Sequence, residues 1–301
     1  MMSANSAVLA NSRAFLRLVT IEHSVFALPF AYLSALAAMT VHGGQVNWAT
    51  LGLITLAMVG GRTFAMAANR IIDRHVDARN PRTAKRELVT GAVSVRTAWT
   101  GAAIALAVLL GSAAALNPLC LALAPLAVVP LVVYPYGKRF TDWPHAILAL
   151  AQATAPVGAW LGVTGTFADS GPAWVLGAAV GLWIGGFDLI YACQDAEVDR
   201  VIGVRSVPAR YGVAFALRLS SAVHVVTFLL FVWFGALVGL GWLWWIGLAV
   251  AAAAFVYEHS IVRPTDLSRV NRAFFTANGF VGIALFVFAL ADLLVRLNLR
   301  P

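Results

Sequence analysis

The chain has 301 residues, of which 61% are hydrophobic and only 11% are charged, and its formal net charge is +8. A mean hydropathy of +0.83 and apolar runs that recur along the whole chain exclude a soluble globular protein. These runs are continuous and do not alternate in polarity, which excludes a β-barrel. The composition therefore predicts an all-α polytopic membrane protein.

About nine apolar runs are predicted to cross the bilayer as helices, because most approach the roughly 20 residues that span its hydrocarbon core. They cover about 19–41, 49–68, 96–116, 119–135, 144–165, 173–192, 213–233, 236–257 and 273–295. Basic residues are concentrated in alternate connections, whereas the other connections, such as 42–48 and 165–173, contain no Lys or Arg. The positive-inside rule then predicts a cytoplasmic N-terminus in a multi-pass protein of the cell membrane.

The second run ends in a dense polar segment, NRIIDRHVDARNPRTAKRE, at residues 69–87. Asn69, Asp73 and Asp77 are spaced four apart, which places their side chains on one face of a helix. Carboxylates close to lipid are costly, so their presence indicates a function. Oxygen ligands in such a row suit Mg²⁺, which normally completes its coordination with waters and substrate phosphates.

A second polar segment, at residues 187–212, repeats this pattern: Asp195 and Asp199 follow Asp73 and Asp77 at the same offset along the chain. This internal repeat predicts a duplicated helical bundle within one domain, residues 1–301. The two halves would cover roughly 15–140 and 141–260, followed by a last helix at 273–295. If the two segments face each other, they would hold Mg²⁺ and a diphosphate between them at the cytoplasmic rim.

Several cations accompany the two acidic segments. Because Arg and Lys bind non-bridging phosphate oxygens, they are predicted to bind the substrate. They are Arg70, Arg82, Lys138, Arg139 and Arg205. The alternative, a solvated network of surface ion pairs, explains one acidic segment well but explains two matched segments poorly.

Three polar residues lie deeper in the predicted membrane helices. An arginine within a span, Arg62, indicates a function; the alternative is a side chain that only extends to the membrane interface. Asp188 and Tyr191 precede Asp195 on the same predicted helix face. Together these residues predict a pocket for an aromatic molecule with polar substituents. The six histidines are scattered without metal-ligand spacing, so no zinc site is expected.

The segments NRIIDRHVDARNPRT and DLIYACQDAEVD resemble the two signatures of the UbiA-type intramembrane prenyltransferases, most closely the 4-hydroxybenzoate polyprenyltransferase branch. The resemblance implies that Asn69, Asp73, Asp77, Asp195 and Asp199 bind Mg²⁺ and the diphosphate of a polyprenyl diphosphate. It also implies that Lys138, with Tyr134 nearby, holds the diphosphate and that Arg62 faces the aromatic acid. Asp188 and Tyr191 would border the reacting carbon as the catalytic residues.

The implied reaction is Mg²⁺-dependent prenylation of a small carboxylated aromatic ring in quinone biosynthesis. The acceptor is of the 4-hydroxybenzoate type, or alternatively a dihydroxynaphthoate of the menaquinone pathway. A secondary transporter of organic anions is a remote alternative, because the charges cluster at one rim and no span shows a glycine or proline break. The lipid bilayer and the two substrates are the expected partners, and no nucleic acid is expected.

Overall fold

The computed structural model of the protein describes residues 15, 18, 27–43 and 45–298, the last three of them by backbone alone. Within these residues the chain is helical, and its sole β feature is an isolated bridge between Arg263 and Asp266. The all-α prediction is therefore confirmed.

Nine apolar helices follow one another in the described part of the chain. They are α1 (Leu28–Val41), α2 (Trp48–Asp77), α3 (Val95–Leu116), α4 (Pro118–Phe140), α5 (Pro144–Thr164), α6 (Gly171–Ala192), α7 (Val213–Val238), α8 (Trp242–Ile261) and α9 (Asn278–Asn298). By length and composition eight are able to cross a membrane, and α1 is a shorter apolar helix. The start of the first predicted run, residues 19–26, lies outside the described residues. The cytoplasmic orientation of the N-terminus and the internal duplication stay predictions.

The helix ends follow from local chemistry. Asn117 separates α3 from α4, and its side-chain carbonyl accepts a hydrogen bond from the Cys120 amide as an N-cap. Its side-chain amide donates to the Leu161 carbonyl, which attaches this turn to α5. Pro118 and Pro144 start α4 and α5 at the first helical position, where a missing N–H costs nothing.

The helices form two connected groups. In the first group α2, α3 and α4 pack on one another, and α4 also packs on α5. The second group closes on itself through the contacts α1–α5, α5–α6, α6–α7, α7–α8, α8–α9 and α9–α1. Its apolar core includes Phe30 of α1, Trp183 of α6, Phe231 of α7 and Leu285 of α9, all fully buried. Helix α6 is the most enclosed of the long helices, so side chains on it are firmly positioned.

The two acidic segments end in different ways. Helix α2 is continuous to Asp77, so Asn69, Asp73 and Asp77 share one helix face as the sequence predicts. Helix α6 stops at Ala192, and a 3₁₀ turn, Cys193–Asp195, leads into the short helix Ala196–Ile202. The expectation that the second segment repeats the straight geometry of the first is therefore wrong. The tightened turn places Asp195 beside Asn80 and Arg82, whose side chains bind its carboxylate.

Close packing of α5 on α6 requires glycine on α6. A Cβ atom built on Gly181 would lie 2.4 Å from the Ala149 carbonyl oxygen of α5, which is backbone and cannot rotate away. By contrast, a Cβ atom built on Gly111 of α3 has no atom of the described residues within 4 Å.

We expect Gly181→Ala to lower the free energy of unfolding by about 1–3 kcal/mol, because the two helix backbones must separate. The matched substitution Gly111→Ala should leave it unchanged or raise it by up to about 1 kcal/mol, since alanine favours helix. Thermal or denaturant unfolding in detergent measures both. Equal stability of the two variants would contradict the packing described for α5 and α6.

Candidate active site

One cavity receives residues from both acidic segments. The first segment contributes Asn69 and Asp77, at the end of α2, and the second contributes Asp195 and Asp199. Arg82, Lys138 and Arg205 border the same cavity, as do Arg70, Tyr134, Asp188 and Tyr191. The fold thus brings together side chains that lie more than a hundred residues apart in the sequence.

Asp73 is the most buried of the four aspartates in the two acidic segments. Its side chain is only 1% exposed, and its Oδ2 atom accepts a hydrogen bond of 2.9 Å from the Lys138 ammonium. Lys138 also lies 5.8 Å from the centre of the Tyr134 ring. The Oδ1 atom of Asp73 is buried and has no hydrogen-bond partner among the described residues. An unpartnered buried carboxylate oxygen is costly and is well suited to a cation.

The other carboxylates are held by arginines of the connection between α2 and α3. Arg86 donates to Asp77, and Arg82 donates to both carboxylate oxygens of Asp195 in the bidentate manner typical of arginine. Arg82 also donates to the Tyr191 hydroxyl at 3.0 Å. Burial alone would lower the pKa of Arg82, but hydrogen bonding to Asp195 raises it above the ordinary arginine value, so Arg82 is a permanent cation.

In the second segment, Asp199 is held less tightly than Asp195. Asp199 is buried and accepts a 3.3 Å hydrogen bond from the Ser206 hydroxyl. The backbone amide of Arg205 donates to the Lys138 carbonyl at 2.8 Å, and its guanidinium donates to the Phe140 carbonyl. Lys138 therefore contacts Asp73 directly and lies next to the segment that carries Asp199. This arrangement joins the two acidic segments across the cavity.

Two of the arginines predicted to bind phosphate direct their guanidinium groups at backbone carbonyls. Arg139 does not border the cavity, because its neighbour Lys138 takes the inward direction and successive helical residues point about 100° apart. The exposed Arg139 guanidinium donates to the Ile72 carbonyl and lies over the Tyr136 ring. Arg70 does border the cavity, but its Nε atom is directed at the Leu18 carbonyl at 3.4 Å. We therefore remove Arg139 from the site.

The deep wall of the cavity carries a histidine–aspartate contact that the sequence did not indicate. His145 Nδ1 lies 2.6 Å from Asp188 Oδ2, and both side chains are largely buried. The Nε2 atom of His145 has no hydrogen-bond partner within the described part of the chain. Beside this pair, the Tyr191 ring packs on the Phe274 ring with centroids 4.3 Å apart. Asp188 is thus oriented by a histidine from α5.

Arg62 connects this cavity to a second, smaller pocket. The second pocket is lined by Arg62, Gln152, Phe187, Asp188 and Phe274. The Nε atom of Arg62 is buried and lacks a hydrogen-bond partner among the residues described. A buried guanidinium donor without a partner, beside two aromatic rings, forms a binding place for an aromatic anion.

An apolar groove leaves the same region along α2, α3, α4 and α5. It begins at Arg62 and Gln152 and continues past residues that are almost all aliphatic, among them Ile54, Leu131 and Leu161. The groove can accept a long hydrocarbon chain but offers a charged molecule no partner beyond its start.

The residues fit magnesium. Five oxygen-bearing side chains, those of Asn69, Asp73, Asp77, Asp195 and Asp199, lie in or directly beside one cavity that also contains cations for a phosphate. Hard oxygen ligands of this kind suit Mg²⁺, and the unpartnered Oδ1 atom of Asp73 supplies one directly.

Sequence comparison agrees with this geometry. The profile of the UbiA prenyltransferase family matches residues 27–280. The chain belongs to the UbiA prenyltransferase family. It is therefore a prenyltransferase and a multi-pass membrane protein, and the resemblance seen in the two acidic segments is confirmed.

Individual relatives agree with the family assignment. The chain is 34% identical over 244 residues to the 4-hydroxybenzoate octaprenyltransferase of Pseudomonas aeruginosa, with 81% of each chain covered. It is 32% identical over 244 residues to the 4-hydroxybenzoate solanesyltransferase of Synechocystis, with 78% of this chain and 80% of that protein covered.

Solved structures show the same fold. A UbiA homolog from Aeropyrum pernix K1 matches with a TM-score of 0.82 and 35% identity, over 90% of this chain and 98% of that one. A UbiA homolog from Archaeoglobus fulgidus, bound to GPP and Mg²⁺, matches with a TM-score of 0.69 and 21% identity, over 93% of this chain and 99% of that one. At that identity the second likeness shows the fold alone.

Four residues of the site were missed by the sequence analysis as site residues. Asn80 donates to Asp195, Arg86 to Asp77, His145 contacts Asp188, and Gln152 lines the pocket at Arg62. Asn80 and Arg86 stand in the polar segment after α2, so their position was a usable signal. His145 and Gln152 lie on α5, in an apolar run, and nothing in their spacing links them to Asp188.

We expect Lys138→Met to lower the free energy of unfolding by about 3 kcal/mol, because it leaves the buried Asp73 carboxylate without a partner. Adding Asp73→Asn to the same chain should recover most of the loss, since the uncompensated charge is then removed. The control is Arg139→Met, which removes a neighbouring exposed cation that binds no carboxylate. A loss that persists in the double variant would contradict the pairing of Lys138 with Asp73.

Proposed function

We propose that the protein transfers a polyprenyl group from a polyprenyl diphosphate to a small carboxylated aromatic ring of the 4-hydroxybenzoate type, releasing diphosphate, in a Mg²⁺-dependent step of quinone biosynthesis. The single observation that carries this proposal is the unpartnered Arg62 donor between the acidic cavity and the aromatic pocket. The names of the relatives support the same acceptor class.

The diphosphate end of the donor binds in the acidic cavity. Asn69, Asp73, Asp77, Asp195 and Asp199 would hold Mg²⁺, which supplies charge neutralisation for the diphosphate when bound. Lys138 and Arg82 border the cavity and are already paired with carboxylates of the two segments. With a diphosphate in the cavity, Lys138 and Arg82 would turn from the carboxylates to phosphate oxygens and so stabilise the leaving group.

The aromatic acid binds in the pocket at Arg62. The Arg62 guanidinium pairs with its carboxylate, and the Phe187 and Phe274 rings enclose its ring. Gln152 supplies a further hydrogen-bonding group at the same wall. The phenol end of the ring then lies toward Asp188, which borders both the pocket and the cavity.

The chemistry follows from this placement. The bond between the allylic carbon and the diphosphate oxygen breaks, and its electron pair leaves with the diphosphate. A ring carbon beside the phenol forms the new carbon–carbon bond with the allylic carbon. The proton of that ring carbon passes to Asp188, which His145 holds in place at 2.6 Å. Tyr191 borders the same point and positions Arg82 through its hydroxyl.

The isoprenoid tail lies in the apolar groove between α2, α3, α4 and α5, where only dispersion and hydrophobic contacts are needed. Because the groove opens at Arg62 and Gln152, the tail would lie on the side of the aromatic pocket. With the basic connections in the cytoplasm, the reaction takes place at the cytoplasmic rim of the cell membrane.

One alternative remains. A dihydroxynaphthoate, as used for menaquinone, also has a carboxylate for Arg62 and an electron-rich ring. The second alternative considered from the sequence, an organic-anion transporter, is not retained, because the chain belongs to a prenyltransferase family and a transporter would have no use for the five oxygen ligands beside one cavity.

The acceptor assay tests the proposal directly. Membranes that contain the protein are incubated with a polyprenyl diphosphate, Mg²⁺, and either 4-hydroxybenzoate or 1,4-dihydroxy-6-naphthoate. We expect prenylated 4-hydroxybenzoate and free diphosphate, and chelation of Mg²⁺ should abolish both. If only the naphthoate reacted, the proposed acceptor would change from 4-hydroxybenzoate to a dihydroxynaphthoate. If neither compound reacted, the proposal would be overturned. Asp73→Asn is the control, and it should insert normally but show no turnover.

The two substrate sites are separable by substitution. We expect Arg62→Ala to raise the KM for the aromatic acid about tenfold or more, because a charged hydrogen bond contributes about 1.5–3 kcal/mol, while the KM for the diphosphate stays nearly constant. Lys138→Ala should instead raise the KM for the diphosphate more than the KM for the aromatic acid. Steady-state kinetics in which each substrate is varied in turn measures both values. If Arg62→Ala weakened the two substrates equally, Arg62 would have no specific role at the acid.

A further inference from the structure

A second polar cluster lies among α6, α7, α8 and α9, and none of its members borders the acidic cavity. Its members are His224 of α7 with Glu258 and His259 of α8. His224 is 2% exposed and Glu258 is 1% exposed, whereas His259 is half-buried. Two imidazoles and a carboxylate at this depth need partners, since each is costly in an apolar surrounding.

Outer hydrogen bonds orient all three side chains. His224 Nε2 lies 3.1 Å from the Trp183 carbonyl, which can only accept, so Nε2 carries the proton and Nδ1 a lone pair. His259 Nδ1 lies 3.1 Å from the Ser221 hydroxyl, whose own proton is donated to the Leu217 carbonyl. In this arrangement His259 Nδ1 donates to Ser221, and its Nε2 atom carries the lone pair.

Glu258 completes the convergence. Its Oε1 atom accepts a 2.6 Å hydrogen bond from Asn278, whereas its Oε2 atom is buried and has no hydrogen-bond partner among the described residues. Asn278 in turn accepts a hydrogen bond of 2.7 Å from the Trp183 indole. The free oxygen of Glu258 therefore points at the two histidines from a fixed position.

The three inward atoms are close together. His224 Nδ1 lies 2.9 Å from His259 Nε2 and 3.4 Å from Glu258 Oε2, and the three ligand atoms lie within 4.8 Å of one another. Two lone pairs and a carboxylate oxygen at these distances repel one another unless a cation lies between them. Tetrahedral zinc, with bonds of about 2.0–2.1 Å, places its ligands about 3.4 Å apart, so the imidazoles need to separate by about half an ångström.

We propose that His224, Glu258 and His259 bind one divalent transition-metal ion, Zn²⁺, at a site separate from the magnesium site. Imidazole nitrogens favour zinc over magnesium, which prefers oxygen ligands. A histidine that binds zinc usually donates a hydrogen bond from its other ring nitrogen, which fixes the tautomer and the orientation of the ring. The ion joins α7 to α8 and, through Asn278 and Trp183, braces α9 and α6.

Because His259 is only half-buried, the ion can enter the site on its side. A solvent molecule would occupy the fourth coordination position of the ion. Two other arrangements of the same atoms are distinguished by experiment. In one, a single proton is shared between the two histidines. In the other, the Ser221 hydroxyl turns to His259 Nδ1, so that His259 donates to His224 and, with Glu258 protonated, the cluster is a neutral hydrogen-bonded network.

The test measures metal content directly. The full chain is expressed with zinc, purified in detergent, desalted, and assayed for zinc by elemental mass spectrometry. We expect about one zinc per chain, and a visible absorption band when Co²⁺ replaces it. Glu258→Gln keeps the shape and the contact to Asn278 but removes the ligand, and it should lower bound zinc at least tenfold. Asp195→Asn, which alters the magnesium site, should retain zinc in full.

Each outcome decides the proposal. Absence of both zinc and the cobalt band from the wild-type chain, or zinc lost in Asp195→Asn but kept in Glu258→Gln, overturns it. The proposal is also overturned if zinc does not stabilise the wild-type chain and Glu258→Gln melts at a higher temperature than wild type. That result indicates one of the two arrangements without metal, the shared proton or the neutral hydrogen-bonded network. If Glu258→Gln fails to fold, Ser221→Ala keeps all three ligands, and it should weaken zinc binding about tenfold by freeing His259.

Discussion

The structure depends on pairing the carboxylates of the site with cations that lie on other secondary-structure elements. Lys138 reaches Asp73 from α4, and Arg82 and Arg86 reach Asp195 and Asp77 from the connection after α2. Breaking such pairs is costly because one charge is then left uncompensated in a medium of low dielectric. The pairs also hold the cations at the cavity, where a diphosphate would attract them. Under the proposed function, binding of metal and substrate would exchange the partners of these charges within one network.

Much of this was predictable because charge is rare in the chain. A carboxylate at the end of an apolar run has few structural explanations, so Asp73, Asp77, Asp195 and Asp199 were identifiable from position and spacing alone. The nine apolar helices followed equally directly from the length of the hydrophobic runs, and the extension of α2 to Asp77 followed from the four-residue spacing of Asn69, Asp73 and Asp77. The direction of a side chain was predictable only where helical periodicity applied.

What the sequence did not show depends on contacts between distant segments. The 3₁₀ turn at Asp195 is tied to Asn80 and Arg82, which are remote in sequence. Lys138 and Arg139 are adjacent and equally basic, and only the rotation of α4 distinguishes the inward residue from the outward one. His145 escaped notice because one histidine in an apolar run is more often a core residue than a partner of Asp188. The same holds for His224 and His259, which no local spacing relates.

Helix α6 connects these features. It is enclosed on several sides and carries Trp183, whose carbonyl accepts a hydrogen bond from His224 and whose indole donates to Asn278. The same helix carries Asp188 and Tyr191, which border the cavity. The Phe187 ring lies between them and packs edge-on against both Trp183 and Phe274. A cation at His224, Glu258 and His259 would therefore fix the rotation of α6 and hold Asp188 against His145. Zinc loss should then affect the placement of Asp188 more than diphosphate binding, because Lys138 and Arg82 lie on other elements.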